Sequence, residues 1–374
     1  MSTFRTTTAV GGIDAAAVLN ALLAHLTEHE FESKRQDAGW LLDYEGAEVL
    51  FMAQGDTLRV EIVAPTHELL FDARMMAHHH LAEFAACAPD SIQWDGDQPA
   101  FERPPAFRIL TVISTHDITP HLRRLRFRAD NLARYANDEN LHCKLLIPQP
   151  GVTQPEWPTL GGDGLPSLPT GEKRLDMRTY TIRRLDPQAG WMEIDFVLHE
   201  DAGPGAGWAD RAQPGDQVGV TGPGGRTARP ASWMLLAADE TGLPAIARIA
   251  ETLPPDTQGE IIIEVQNATD ELPLTKPDGM TLRWLHRGDL VPGQSPLLQD
   301  AVLASHIPVE GDRFVWVAAE FATAQTVRKW LRDTVGMSGK DQLVVAYWRF
   351  GMDETSMKSG GRAATGKQSE KAGA

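Results

Sequence analysis

The amino-acid sequence predicts a multidomain chain in which a small α+β domain precedes an antiparallel β-barrel and then an α/β domain on a parallel sheet. Three observations carry this. The chain has 374 residues, too many for one ordinary domain. Short strand-like runs separated by turns fill the stretch from about Phe107 to Gly225, the pattern of an antiparallel barrel or sandwich. Beyond Ser232, apolar strands alternate with helices, which implies a parallel sheet covered on both faces.

In the first segment, residues 1–90, Asp14 is placed to cap a helix over AAAVLNALLAHL. GAEVLFMAQ and TLRVEIVA are strands around Gly55-Asp56, and HELLFDARMMAHHHLAEFAA is a second helix. No catalytic set is recognisable there. His78-His79-His80 are adjacent on that helix, so their side chains point about 100° apart and do not converge on one metal ion. They are read as a solvated face. SIQWDGDQPAFERPP, rich in Pro, Gly and acidic residues, makes residues 91–106 a linker.

The barrel, residues 107–230, opens with FRILTVISTHDITPHLRRLRFRAD. There Leu122, Leu125 and Phe127 interleave with Arg123, Arg124, Arg126 and Arg128, the alternation of a strand with one wet face. The Pro/Gly-rich stretch between Pro148 and Lys173 is a long loop, and loops of that length in a compact domain are functional or mobile. In the α/β domain, residues 231–353, SWMLLAAD is a buried strand followed by the helix LPAIARIAETL. EIIIEVQN, TLRWLHR, FVWVAAE and QLVVAYWRF are further strands, with the helix TAQTVRKWLRDT before the last. Residues 354–374, rich in Gly, Lys and Ser, are expected to be disordered.

Composition excludes several classes. The net charge of −16 argues against nucleic acid as a partner, because phosphate binding needs a basic face. No apolar run approaches the ~20 residues of a membrane span, and the N-terminus MSTFRTTTAVGG has no secretory pattern. Two cysteines, Cys87 and Cys143, make neither a disulfide framework nor a four-cysteine metal site. The expectation is a cytoplasmic protein without membrane insertion.

The sharpest local signal is Arg178-Thr179-Tyr180-Thr181-Ile182-Arg183. On a strand, Arg178, Tyr180 and Ile182 point one way and Thr179, Thr181 and Arg183 the other. An aromatic ring can stack on a planar heterocycle, a hydroxyl can bond its edge, and a guanidinium forks onto a phosphate; an ordinary strand with Tyr in the core is the alternative. Downstream, HEDAGPGAGWA (His199–Ala209) carries glycines that let a backbone approach a pyrophosphate, or make a plain surface turn. TGPGG (Thr221–Gly225) leaves the same choice.

In order, HCKLLIP (His142–Pro148), RTYTIR, HEDAGPGAGWA, TGPGG, AADETGLPAI (Ala237–Ile246), AAE (Ala318–Glu320) and YWRFG (Tyr347–Gly351) resemble the recurring elements of the siderophore-interacting proteins. These are FAD-dependent ferric reductases of the ferredoxin-reductase-like superfamily. The resemblance covers about Phe107 to Gly351, and residues 1–90 resemble a small uncharacterised domain sometimes fused ahead of the family. It implies an FAD-binding barrel and an NAD(P)H-binding α/β domain. Arg178, Thr179, Tyr180 and Thr181 would hold the flavin, with Tyr180 against the ring system and Thr181 near N5. His199 and the loop with Gly203, Pro204, Trp208 and Ala209 would line the pyrophosphate and adenosine side. Asp239, Glu240, Thr241, Leu243, Pro244 and Ala245 would form the first strand-to-helix turn of the nucleotide domain, where phosphates meet a helix N-terminus. The sequence there is not G-x-G-x-x-G.

Lys144 and Arg349 match family positions facing a ferric-siderophore pocket, with Arg226 and Arg229 nearby but outside a clear pattern. By this resemblance a monomer would pass electrons from NADH or NADPH through FAD to a ferric siderophore. The acidic segment Asn267–Glu271 lacks an Arg for a 2′-phosphate and leans towards NADH, although Lys276 is near. A general ferric-chelate reductase and a non-catalytic flavin- or siderophore-binding module stay open as alternatives.

Overall fold

The computed structural model describes residues 3–28, 31–98, 100–199 and 203–352. The chain forms two compact units, Met1–Pro105 with Glu156–Pro169, and Ala106–Pro155 with Thr170–Ala374. Among the described residues no helix is long and apolar enough to cross a membrane. The tail expected to be disordered, residues 354–374, lies outside the described residues.

The first unit contains β1 (Phe4–Val10), α1 (Ala15–Glu28), β2 (Ser33–Gln36), β3 (Gly39–Tyr44), β4 (Ala47–Gln54), β5 (Thr57–Ala64), α2 (His67–Phe84) and β6 (Asp95–Gly96). Asp14 caps α1 by accepting the Ala17 amide at 3.0 Å. The strands form one antiparallel sheet in the order β2-β3-β4-β5-β1-β6. Leu22, Leu26, Leu70 and Leu81 of the two helices pack on Val49, Phe51, Val60 and Ile62, removing them from water.

Several local readings of this region change. The threonine-rich β1 was not anticipated; Thr6 and Thr8 are buried, and their hydroxyls donate to Asp95 O at 2.8 Å and Gln93 O at 2.6 Å. The residues read as the start of a linker are therefore tied down, and Ile92 and Trp94 lie in the core of this unit. The histidine run is not a uniformly solvated face. His78 is buried and accepts from Trp94 Nε1 at 3.2 Å, His80 Nδ1 meets Met76 O at 2.8 Å, and His79 is exposed. Burial lowers the pKa of both His78 and His80.

The long Pro/Gly-rich stretch carries a short hairpin, β10 (Thr159–Leu160) with β11 (Pro166–Ser167). Its residues 156–169 belong to the first unit. The Leu160 amide donates to Glu102 O at 3.1 Å, and the almost fully buried Arg74 donates to Asp163 O while its guanidinium lies 5.5 Å from the Trp94 ring centre. Loop backbone bonded in this way is structure rather than slack.

The second unit begins with β7 (Arg108–Thr119), β8 (Leu122–Arg128) and β9 (Asn140–Pro148), and continues with β12 (Leu175–Asp186), β13 (Trp191–Val197), α3 (Pro204–Arg211) and β14 (Gln217–Arg226). Its strands close into a barrel in the order β12-β13-β8-β7-β14-β9. Leu125, Phe127, Leu145, Ile147, Ile182, Ile194, Phe196 and Val218 fill the interior. Three of the four arginines of β8, Arg123, Arg124 and Arg126, are paired rather than simply wet. Arg124 forks onto Asp195 at 2.6 and 2.8 Å, and Arg126 donates to Glu193 at 2.6 Å.

Next come β15 (Trp233–Asp239), α4 (Leu243–Thr252), β16 (Gln258–Val265), β17 (Met280–His286), α5 (Leu297–Leu303), β18 (Arg313–Glu320), α6 (Phe321–Asp333) and β19 (Gln342–Trp348). The five strands are parallel in the order β17-β16-β15-β18-β19. The order reverses between β15 and β18, so their carboxyl ends open a crevice at a topological switch point. α4 covers one face and α5 with α6 the other.

Candidate functional site

The site is built where β9 and β12 meet α3 and the carboxyl edge of the parallel sheet. β12 and β9 pair antiparallel, so Thr179 faces Lys144, Tyr180 faces Cys143 and Thr181 faces His142. The Tyr180 ring is half-buried, 4.4 Å from the Phe196 ring centre. Arg178 is half-buried and bonds Met177 O, Thr179 is exposed and Thr181 is buried. The strict alternation expected along this strand ends at a bulge between Ile182 and Arg184. Thr181, Ile182 and Arg183 are all buried, because α4 covers the outer face of β12. Arg183 forks onto Glu251 of α4 at 2.9 and 2.6 Å, and Arg248 donates to Ile182 O at 3.0 Å.

The stretch read as a glycine loop is instead the helix α3. Gly203 is its N-cap without a side-chain cap, and Pro204 occupies the first turn. The Gly205 and Ala206 amides thus lack intrahelical acceptors at the positive end of the helix. A Cβ on Gly205 would overlap the Tyr180 hydroxyl, so that glycine lets the helix start beside the ring. Trp208 packs on Phe127 and Phe196, and Ala209 is fully buried; their side chains serve the barrel core. His199 is exposed at the end of β13, and Glu200 to Ala202 of its motif lie outside the described residues.

At the switch point, Asp239 accepts the Thr241 amide and hydroxyl at 2.9 and 2.5 Å and the Trp348 indole N–H at 2.8 Å. Burial and then Glu240 push its carboxyl up to about 6. Glu240 is forked by Arg287 at 2.7 and 2.5 Å. Glu320 caps α6 and accepts the Phe350 amide at 3.2 Å. Leu243, Pro244 and Ala245 form the buried first turn of α4, which leaves Glu240 and Thr241 before the helix as the partly accessible residues. Leu243 and Pro244 also edge a cavity of about 190 Å³ between barrel and sheet, with Arg183, Arg184, Glu251 and Leu272 among its walls.

Lys144 is exposed on β9, and Arg349 is exposed with its guanidinium 4.6 Å from the Phe321 ring centre. The structure links their strands through His142 Nε2 and the Tyr347 hydroxyl, 2.6 Å apart. Each cation lies two residues along the chain from a partner in that bond. Arg229 is drawn to Asp312 at 2.8 Å, away from this group. Three residues escaped sequence reasoning. Gly205 was seen only as one glycine of a loop, while His142 and Tyr347 stood inside recognised motifs with nothing to mark them as partners 205 positions apart.

These residues fit a flavin dinucleotide. A half-open ring beside two hydroxyls, a guanidinium on the same strand and an uncapped glycine-opened helix start match an aromatic system joined to a pyrophosphate. A closed antiparallel barrel joined to a doubly wound parallel sheet is the ferredoxin-reductase-like fold. The model for the siderophore-interacting FAD-binding domain matches residues 111–227, and that for the siderophore-interacting protein matches residues 231–351. Residues 7–95 match a model described only as an uncharacterised protein conserved in bacteria. The ferric vibriobactin reductase ViuB of Vibrio cholerae is 30% identical over 252 residues, 66% of this chain and 91% of its own. An uncharacterised protein of Mycobacterium tuberculosis is 33% identical over 257 residues, 65% of this chain and 90% of its own. The crystal structure of a siderophore utilization protein from T. fusca superposes with a TM-score of 0.60 at 36% identity, covering 66% of this chain and 94% of that one. The chain belongs to the siderophore-interacting protein family.

Proposed function

We propose that the protein is a cytoplasmic, monomeric ferric-siderophore reductase that takes electrons from NADH, holds FAD and delivers electrons to Fe(III) in a bound chelate. The observation that carries this reading is the bond between His142, on the strand paired with β12, and Tyr347, next to the residue that holds Asp239, with Lys144 and Arg349 each exposed two residues along the chain from it. FAD, when bound, accepts a hydride and gives up electrons singly, the conversion that a one-electron acceptor requires. The protein's part is to bind and orient. Tyr180 offers its ring, Thr179 and Thr181 their hydroxyls, Arg178 its guanidinium, and Gly205 and Ala206 their amides. Lys144 and Arg349 attract an anionic chelate and favour the extra negative charge that follows reduction. Fe(II) then leaves because hard oxygen donors hold it more weakly than Fe(III).

The preference for NADH rests on the segment that follows β16. Asp270 bonds His121 at 2.9 Å and Glu271 bonds His286 at 2.8 Å. Lys276 folds back onto Met280 O at 2.5 Å, and Arg287 is held by Glu240. No cation is thus set aside for a 2′-phosphate among these described residues.

The test uses the FAD-loaded protein and its Lys144→Ala/Arg349→Ala variant. Anaerobic NADH should bleach the flavin absorbance equally in both. Reoxidation by an anionic ferric siderophore should slow at least several-fold in the variant, with a smaller effect for a neutral chelate and a partial imitation by added salt. Equal reoxidation of both proteins by every chelate would remove the siderophore from the reading and leave a general reductase. A protein that binds FAD but is not bleached by NADH would contradict the proposed donor.

A further inference from the structure

The bond between His142 and Tyr347 is placed at both ends by register. On the barrel, His142 is the cross-strand partner of Thr181 and sits next to the partner of Tyr180. On the sheet, Tyr347 immediately precedes Trp348, whose indole holds Asp239 at the switch point. The Tyr347 ring also packs edge-on against Trp316 of β18, centres 6.2 Å apart at 88°. Gly225 makes room for the imidazole beside it, since a Cβ there would overlap Nδ1. The pair is therefore a short, half-buried strut between the crevice and the strand that carries the proposed flavin contacts.

We propose that Tyr347 and His142 are positioning residues that keep the switch-point crevice in register with Tyr180 and Thr181, an inference that rests on the reading of the crevice as the nicotinamide site. Neither residue touches reacting atoms in this role. Transfer between two bound rings is steep in distance, and a misplacement of ~1 Å costs on the order of 10²-fold in rate. A strut spanning the two binding surfaces is where such an error would enter. Asp239 extends the same chain of contacts, because Trp348 anchors the end of β19 to the turn that opens α4.

Tyr347→Phe keeps the ring and its contact with Trp316 and removes the hydroxyl. In the FAD-loaded variant, the limiting rate of flavin reduction at saturating NADH should fall about tenfold or more. Reduction by dithionite, which needs no crevice, and the dissociation constant for FAD should stay within twofold. His142→Gln, whose amide can still bond Tyr347, should recover most of the rate, and His142→Phe should not. Amide hydrogen exchange in β9 and β19 should quicken in Tyr347→Phe, a readout independent of turnover. A limiting rate within twofold of the parent would overturn the proposal, as would a parallel loss of FAD affinity and of reduction by both reductants, which would mark a purely structural bond. If the parent binds FAD but takes no hydride from NADH, the donor reading fails and exchange alone decides. Unchanged exchange in β9 and β19 would then sink the strut.

Discussion

The clamp between β12 and α4 allows a magnitude to be worked from the structure. Arg183 keeps only 7% of its side chain exposed and forks onto Glu251, which keeps 22% and also receives Arg184 at 2.7 Å. Glu251→Ala strands a buried guanidinium. Breaking a buried pair from one side costs ~3–5 kcal/mol, and the remaining exposure of Glu251 reduces this to about 2–3 kcal/mol. Replacing both partners by Met removes the desolvated charges together, so that variant should lie within about 1 kcal/mol of the parent. The assay is urea unfolding followed by tryptophan fluorescence, with the difference between single and double variants as the quantity of interest. A single variant losing less than about 0.5 kcal/mol would refute the reasoning and show the pair to be solvent-screened. A double variant as unstable as the single one would show that packing, not stranded charge, sets the cost.

Burial, assisted by Arg248, holds the His142 imidazole down at about 4, against an ordinary value near 6.5. The unfolded chain therefore binds more protons between those values. The contribution of His142, on the order of 3 kcal/mol at full extent, is present above about pH 6.5 and lost as pH falls towards 4. Because the raised carboxyl of Asp239 acts in the opposite sense over part of that window, the measurement is the difference between the pH–stability curves of the parent and His142→Gln; parallel curves would contradict it. Burial raises the Cys143 thiol to about 12, so a thiol reagent at pH 8 should label Cys87 alone until denaturant is added, and rapid labelling of both would be the adverse result. Trp94→Ala should destabilise the first unit by about 3 kcal/mol, seen as an earlier thermal transition, while FAD affinity stays within twofold. A loss of FAD affinity would bring the first unit into the site.

The predicted strands and helices of the barrel and the parallel sheet were legible because their periodicities are direct consequences of burying one face or two. Leu122, Leu125 and Phe127 interleave with arginines, and β15 and β18 are each built on a continuous apolar run. The family was legible from ordered short motifs, each weak alone. β1 was not legible, because its buried side chains are threonines satisfied by Gln93 and Asp95, and a hydroxyl that has found a distant carbonyl looks like a surface residue in sequence. Residues 156–169 were likewise unreadable, since Arg74 and Glu102 hold them from far along the chain.

By itself, then, the sequence determined the order of domains, the strand that bears Tyr180 and Thr181, and the turn at Asp239, all of them local patterns. Only the tertiary structure decided that Arg183 pairs with Glu251 of α4, that the glycine-rich motif opens a helix, and that His142 meets Tyr347. Those outcomes depend on which side chains from remote positions share one desolvated volume, where an unpaired polar group is costly. No spacing along a chain encodes that proximity.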